Sequence, residues 1–198
     1  MHKKNDKIEK KHSKRAKFRQ EDARRERHPR KKKKFGQNFL KDHSVVDTMI
    51  DRVEIDASTN IMEIGAGAGF LTKAILEQTK CKRLVSFEID EEWYMELQRT
   101  IADSRFDLRL TDVLDLDWNE LEELAPMVML ANLPYQISFP VLFRIQRHKH
   151  LFREGVVMLQ EEVAQKLVAT HGRSFSQVTL FLKHHFEFEL LCKIGPEA

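Results

Sequence analysis

The sequence predicts an α/β domain with a mainly parallel sheet and helices on both faces. Three observations predict it. After Lys34, short apolar β-like runs alternate with longer helical segments. A glycine-rich turn separates the first of these runs from the first helix. No period of the kind that builds solenoids interrupts the pattern. Repeated βα units connect by right-handed crossovers and present ligands at the carboxyl ends of the strands.

The elements follow in order. Residues 60–65 (NIMEIG) read as a buried strand, and the helix after the glycine turn carries Phe70, Leu71, Ala74, Ile75 and Leu76. Residues 83–89 (RLVSFEI) form a second strand. Residues 91–102 form a helix whose acidic first turn suits the positive end of the helix dipole. Residues 106–111 alternate as a third strand, and 116–124 read as a short helix. The run 127–133 (MVMLANL) is apolar enough for a central strand covered on both faces, and Pro134 ends it. A helix over 138–147 holds Pro140 in its first turn, where proline is tolerated. Residues 155–159 make a fifth strand, 161–170 and 175–184 two helices, and 186–194 (FEFELLCKI) begins with the alternation of a strand.

Length and charge set the organisation. The chain has 198 residues and a net charge of +3, which conceals a division at Lys34. Residues 1–34 hold 17 Lys and Arg against 5 Asp and Glu, or +12, and the other 164 residues carry −9. The first segment has too few apolar residues to offset the entropy of ordering, so residues 1–34 are expected to be a disordered basic tail and 35–198 a single domain. The tail lacks the apolar stretch of a signal peptide and contains acids that transit peptides avoid, and no run of about 18 apolar residues could span a membrane. A cytoplasmic, monomeric protein is expected. The two cysteines, Cys81 and Cys192, make no disulfide framework. Adjacent His184 and His185 point in different directions on a helix, so no metal site is expected.

The chemistry concentrates at three strand ends. Glu63-Ile-Gly-Ala-Gly-Ala-Gly69 places glycines at 65, 67 and 69 between strand and helix. The dinucleotide fingerprint would need glycine at position 70, where Phe70 stands, which disfavours a nicotinamide enzyme. Glu88 closes the second strand, where a carboxylate can accept both ribose hydroxyls of an adenosine-containing cofactor, and Asp112 closes the third. These ends converge on one crevice, and the expected ligand is S-adenosylmethionine: Glu88 on the ribose, Asp112 near the adenine amine, and Gly65, Gly67 and Gly69 beside the methionine part.

Asn132-Leu-Pro-Tyr135 ends the fourth strand. Its residue types suit alkylation of an exocyclic nucleobase amine, whose lone pair is delocalised into the ring. The side-chain oxygen of Asn132 and the backbone carbonyl of Leu133 can accept the two N–H bonds and draw the nitrogen toward tetrahedral geometry. Pro134 fixes φ and removes a competing donor. Tyr135 offers a flat face for a flipped base, worth roughly 1 to 3 kcal/mol.

These motifs, with Phe35-Gly-Gln-Asn-Phe-Leu40, Phe87-Glu-Ile-Asp90 and Met158-Leu-Gln-Glu-Glu-Val-Ala164, resemble the ribosomal RNA adenine N6-dimethyltransferases that modify two adjacent adenosines near the 3′ end of small-subunit rRNA. The resemblance implies a Rossmann-like, S-adenosylmethionine-dependent methyltransferase fold and a role in small-subunit biogenesis. It also implies that Asn38 and Leu40 help hold the cofactor, with Gly65, Glu88, Asp112 and Asn132 as further contacts. Three departures stand out. Glu161 replaces the family's usual lysine, and Phe139 stands where a threonine is expected, close to the target-base pocket. After Ala198 the family continues with an aromatic residue, a proline-rich loop, a final antiparallel strand and a small helical RNA-binding domain, so a C-terminally shortened chain is expected.

The five consecutive cations from Arg30 through Lys34 are expected to grip RNA phosphates through counterion release. Two rivals remain at this point. A noncatalytic RNA-binding assembly factor would keep the fold. The antibiotic-resistance methyltransferases of large-subunit rRNA usually have isoleucine at the position of Leu133 and lack the 159–162 segment.

Overall fold

The computed structural model describes residues 42–171 and 176–195. Five parallel strands lie in the order β3-β2-β1-β4-β5, with β1 Asn60–Ile64, β2 Arg83–Glu88, β3 Phe106–Leu110, β4 Met127–Asn132 and β5 Phe152–Met158. The helices are α1 His43–Asp51, α2 Phe70–Gln78, α3 Glu91–Thr100, α4 Ser138–Arg147, α5 Glu161–Val168 and α6 Gln177–Lys183. Strand order reverses between β1 and β4, so the carboxyl ends of these neighbours open the crevice where open α/β sheets bind ligands.

Local chemistry sets the helix starts. The Asp42 carboxylate accepts from the Ser44 N–H at α1, and Asp90 accepts from the Glu92 N–H at α3. Gly69, left-handed at φ 76°, leads into α2; a Cβ there would lie 2.5 Å from Leu97 Cδ2 on α3, so the position suits only glycine.

The sheet alternates its side chains between two cores. Ile61, Leu84, Val128 and Leu130 pack with α1 and α2 on one face. Met62, Val85, Phe87 and Met129 pack on the other with Trp118, Leu121 and Val141. A third cluster joins Leu142 of α4, Val163 and Leu167 of α5 and Leu182 of α6.

Four elements differ from expectation. The segment over 116–124 is a 3₁₀ helix, Trp118–Leu124, capped by Asp117. The fifth strand begins earlier, at Phe152. Helix α1 lies outside the expected elements. No strand forms over 186–195. The alternation there serves a different end, since Phe186 and Phe188 both dock on the α4, α5 and α6 cluster. Alternation selects a face, whereas a strand also needs a backbone partner.

Among the described residues no helix is long and apolar enough to cross a membrane. The basic tail, the 35–40 motif with Asn38 and Leu40, and the proposed helix start at Phe175 lie outside the described residues.

Candidate active site

The glycine turn is built around one carboxylate. Glu88 is only 4% exposed. Its Oε1 accepts from the N–H groups of Ile89 at 2.9 Å and Asp90 at 2.8 Å, and its Oε2 accepts from the Gly67 N–H at 2.7 Å. Gly67 can aim its amide inward because it sits at φ 52°. A carboxylate offers about four acceptor directions, so roughly one remains, on Oε2. That leaves one acceptor direction for a further donor, and a second donor would have to replace the Gly67 amide. Burial pushes the Glu88 carboxyl above its ordinary range, opposed by the three backbone N–H groups.

A second acid lies beneath the turn. Glu63, 1% exposed, accepts on Oε2 from Thr72 Oγ1 of α2 at 2.8 Å and from Ser86 Oγ of β2 at 2.5 Å. Burial raises its carboxyl to about 7 against the opposing Ser86 and Thr72 bonds, and the neighbouring Glu88 charge adds to the rise. The glycine motif begins at Glu63 but by itself gives that acid no role. The available signal was an acid inside a strand that is otherwise buried without a charge.

The turn and the Asn132 segment meet across the β1–β4 boundary. A Cβ placed on Gly65 would lie 3.7 Å from Pro134 Cδ and 3.9 Å from the Asn132 carbonyl oxygen. Gly65 at φ 77° also donates its N–H to the Phe87 carbonyl at 2.8 Å, tying the turn to β2. Leu133 is buried and donates to the Met158 carbonyl at 3.2 Å, while Pro134 at φ −56° lends its carbonyl to the Ile137 N–H at 3.1 Å. Asn132 is half-buried and Tyr135 is 44% exposed, so the ring is not part of the core.

Asp112 follows β3 as expected. Its Oδ1 holds the Leu114 N–H at 2.9 Å, and its carbonyl accepts from Asp115 and Leu116. Carboxylates thus stand at two neighbouring strand ends beside a turn whose Gly65, Gly67 and Gly69 take positive φ. Acceptors of that kind fit the hydroxyls and amine of an adenosine, with a close-approach backbone for the rest of the cofactor.

The two substituted positions have structural uses. Glu161 pairs with Lys193 at 2.8 Å and accepts from Gln165 at 2.7 Å; the Lys193 bond holds its carboxyl below the usual range. Phe139 packs against the α4, α5 and α6 cluster, while the adjacent Ser138 Oγ donates to the Pro134 carbonyl at 3.4 Å.

Among curated relatives, the chain is 36% identical over 170 residues to ribosomal RNA small subunit methyltransferase A of Syntrophotalea carbinolica, covering 85% of this chain and 63% of that protein. It is 34% identical over 173 residues to the protein of the same name from Pseudomonas putida, covering 85% and 64%. The chain therefore spans less than two thirds of the length of these relatives. Its structure superposes on a dimethyladenosine transferase from Plasmodium falciparum with TM-score 0.64 and 27% identity, over 74% of this chain and 52% of the other. The fold also matches the 23S rRNA methyltransferase ErmE, with TM-score 0.59 and 20% identity over 72% and 56% of the two chains. The parallel sheet is thus the Rossmann-like methyltransferase fold. With the family model for ribosomal RNA adenine dimethylase matching residues 28–198, the chain belongs to the ribosomal RNA adenine dimethylase family.

Proposed function

We propose that the chain carries out S-adenosylmethionine-dependent N6-dimethylation of two adjacent adenosines near the 3′ end of small-subunit rRNA, as a step of small-subunit biogenesis. The observation that carries the reading is the meeting of Asn132–Tyr135 with the glycine turn, 3.9 Å from a Gly65 Cβ position to the Asn132 carbonyl oxygen, beside an exposed tyrosine ring. Glu88 would hold the ribose, Asp112 the adenine amine, and Gly65 and Gly67 the remainder, with Asn38, Leu40 and Asn132 as further contacts. Bound there, S-adenosylmethionine would supply an electrophilic methyl carbon on a good leaving group.

The chain's own residues then do the orienting. Tyr135 stacks the flipped adenine, and the Asn132 side-chain oxygen with the Leu133 carbonyl accepts its two amine N–H bonds. These acceptors aim the nitrogen lone pair into the crevice. No general base is needed before attack, because the amine proton becomes acidic only once nitrogen is alkylated. Pro134 keeps the segment extended without offering a donor of its own. The basic tail, with Arg30 through Lys34, would draw the acidic body toward RNA.

The test incubates the 198-residue chain with labelled S-adenosylmethionine and undermethylated small subunits. Label at two neighbouring adenosines near the 3′ end is the expected result. Cofactor binding without transfer would favour the assembly-factor reading, and label on large-subunit RNA would move the substrate.

A further inference from the structure

The geometry points to a second RNA contact remote from the target base: a cationic ridge of Arg147, Lys149 and His150, at the end of α4 and the turn after it, that grips the phosphodiester backbone of the same RNA. The inference rests on the rRNA-substrate reading above.

Arginines in the described body are otherwise engaged. Arg52, Arg83, Arg99, Arg105, Arg109 and Arg153 each meet a carboxylate. Arg144 donates to the Leu114 and Leu116 carbonyls. Arg147 and Lys149 are exposed and have no ion pair among the described residues. His150 lies beside them, its ring 6.2 Å from that of His148.

A C-terminal arginine can simply complement the helix dipole, which accounts for cations in the last turn of α4. It does not account for Lys149 and His150, which lie beyond that helix. The ridge is only partly neutralised. Among the described residues its one ion pair joins His150 Nε2 to Glu122, 3.9 Å away and itself 65% exposed, and Asp117, which caps that 3₁₀ segment, acts on His148. His148 is held below its ordinary range first by burial and then by the charges of His150, Arg144 and Arg147, as expected of closely spaced cations. Lys149 acts in the same sense on His185, after burial and His184, so the end of α6 adjoins the ridge.

Position supplies the partner. Helix α4 starts directly after the Tyr135–Ile137 turn and runs 10 residues, about 15 Å, to Arg147. An RNA whose base stacks on Tyr135 must continue past a domain of net charge −9 over residues 35–198. Unpaired cations one helix length away would hold that continuing backbone against the net negative charge of the domain, and at separations below about 10 Å, the Debye length at 0.1 M salt, screening removes only part of their attraction.

The test measures filter binding of a small-subunit rRNA transcript between 50 and 200 mM KCl, comparing the full chain with its Arg147→Gln/Lys149→Gln variant. The variant should bind about 5- to 10-fold more weakly at 100 mM, with a log K against log salt slope shallower by about 1.4 to 1.8. A Lys80→Gln/Lys82→Gln control, exposed and before β2, should leave that slope nearly unchanged. An unaltered slope in the ridge variant, or an equal change in the control, would overturn the ridge and leave the rRNA reading standing. Equal weakening toward polyglutamate would assign the surface to an acidic protein and also overturn it. Failure of the unaltered chain to bind RNA would overturn both readings.

Discussion

The carboxyl edge of the sheet has two unlike halves. At the ends of β1 and β2, Glu63 and Glu88 are 1% and 4% exposed, and hydroxyl or backbone donors hold them in place. At the end of β4, Asn132 is half-buried and Tyr135 is 44% exposed. The first half is pre-organised, with its polar groups fixed before any ligand arrives. The second is accessible, with its ring open to solvent. A transferase that must hold a small cofactor firmly and admit a large substrate only at one atom needs both characters side by side.

The largest test of this division falls on the open half. Asn132→Ala should lower methyl transfer by about 10³-fold, since it removes an acceptor aimed at the reacting amine. The side chain is half-buried at a strand end, so the melting temperature should move little. Single-turnover label transfer with a parallel thermal melt reads both, and persistent transfer would overturn the amine chemistry proposed for this segment.

The closed half should reveal itself in the pH dependence of stability. Glu63 titrates near 7 when folded against an ordinary value of 4.5. The folded state therefore binds the extra proton between these values. Its contribution is fully present below about 4.5 and is lost as pH rises through 7, amounting to about 3 kcal/mol. Glu88 is raised too and works in the same sense. His148 and His185 are held low and work in the opposite sense below their ordinary 6.5, while Asp56, lowered to about 2, acts only in stronger acid. Glu63→Gln keeps a neutral hydrogen-bonding side chain and should flatten the decline between pH 5 and 7.5 in urea melts. Parallel curves for the two chains would remove Glu63 as its source.

The two halves were also unequally legible. The glycine spacing, Glu88 and Asp112 at strand ends, and Asn132-Leu-Pro-Tyr135 after an apolar run were visible because each is a local pattern. The Glu63 clamp was not, because its partners Thr72 and Ser86 stand 9 and 23 residues away and only the β1–β2 register, Glu63 opposite Ser86, unites them. The same limit hid the fate of 186–195. Alternation there predicts the start of a strand, whereas Phe186 and Phe188 dock on three helices and no strand forms. The engagement of three of Glu88's acceptor directions by the backbone around the turn is likewise a tertiary fact.

That engagement makes Glu88→Gln a sharper probe than a simple loss of charge. An amide has one acceptor oxygen, so its NH₂ group must face at least one of the backbone N–H groups now held by the carboxylate. The expected loss is about 2 kcal/mol of S-adenosylmethionine affinity, or roughly 30-fold by calorimetry. RNA binding in the absence of cofactor should be unchanged. If RNA affinity falls and cofactor affinity does not, the roles of the two halves are reversed.

Tyr135 gives the smallest and most specific effect. Replacing the ring by alanine should cost about 1.5 kcal/mol of stacking, seen as a roughly tenfold rise in KM for RNA. Tyr135→Phe should restore most of it, because the flat face survives while only the hydroxyl is lost. Since the ring is 44% exposed and outside the core clusters, neither change should shift the denaturation midpoint appreciably. Cofactor affinity is the discriminating readout, because Tyr135 stands beyond the Pro134 turn rather than among the carboxylates of the closed half. An equal loss of cofactor and RNA affinity in Tyr135→Ala would mean that the ring supports the crevice itself, and the division between a fixed half and an open half would fail at the residue that defines it.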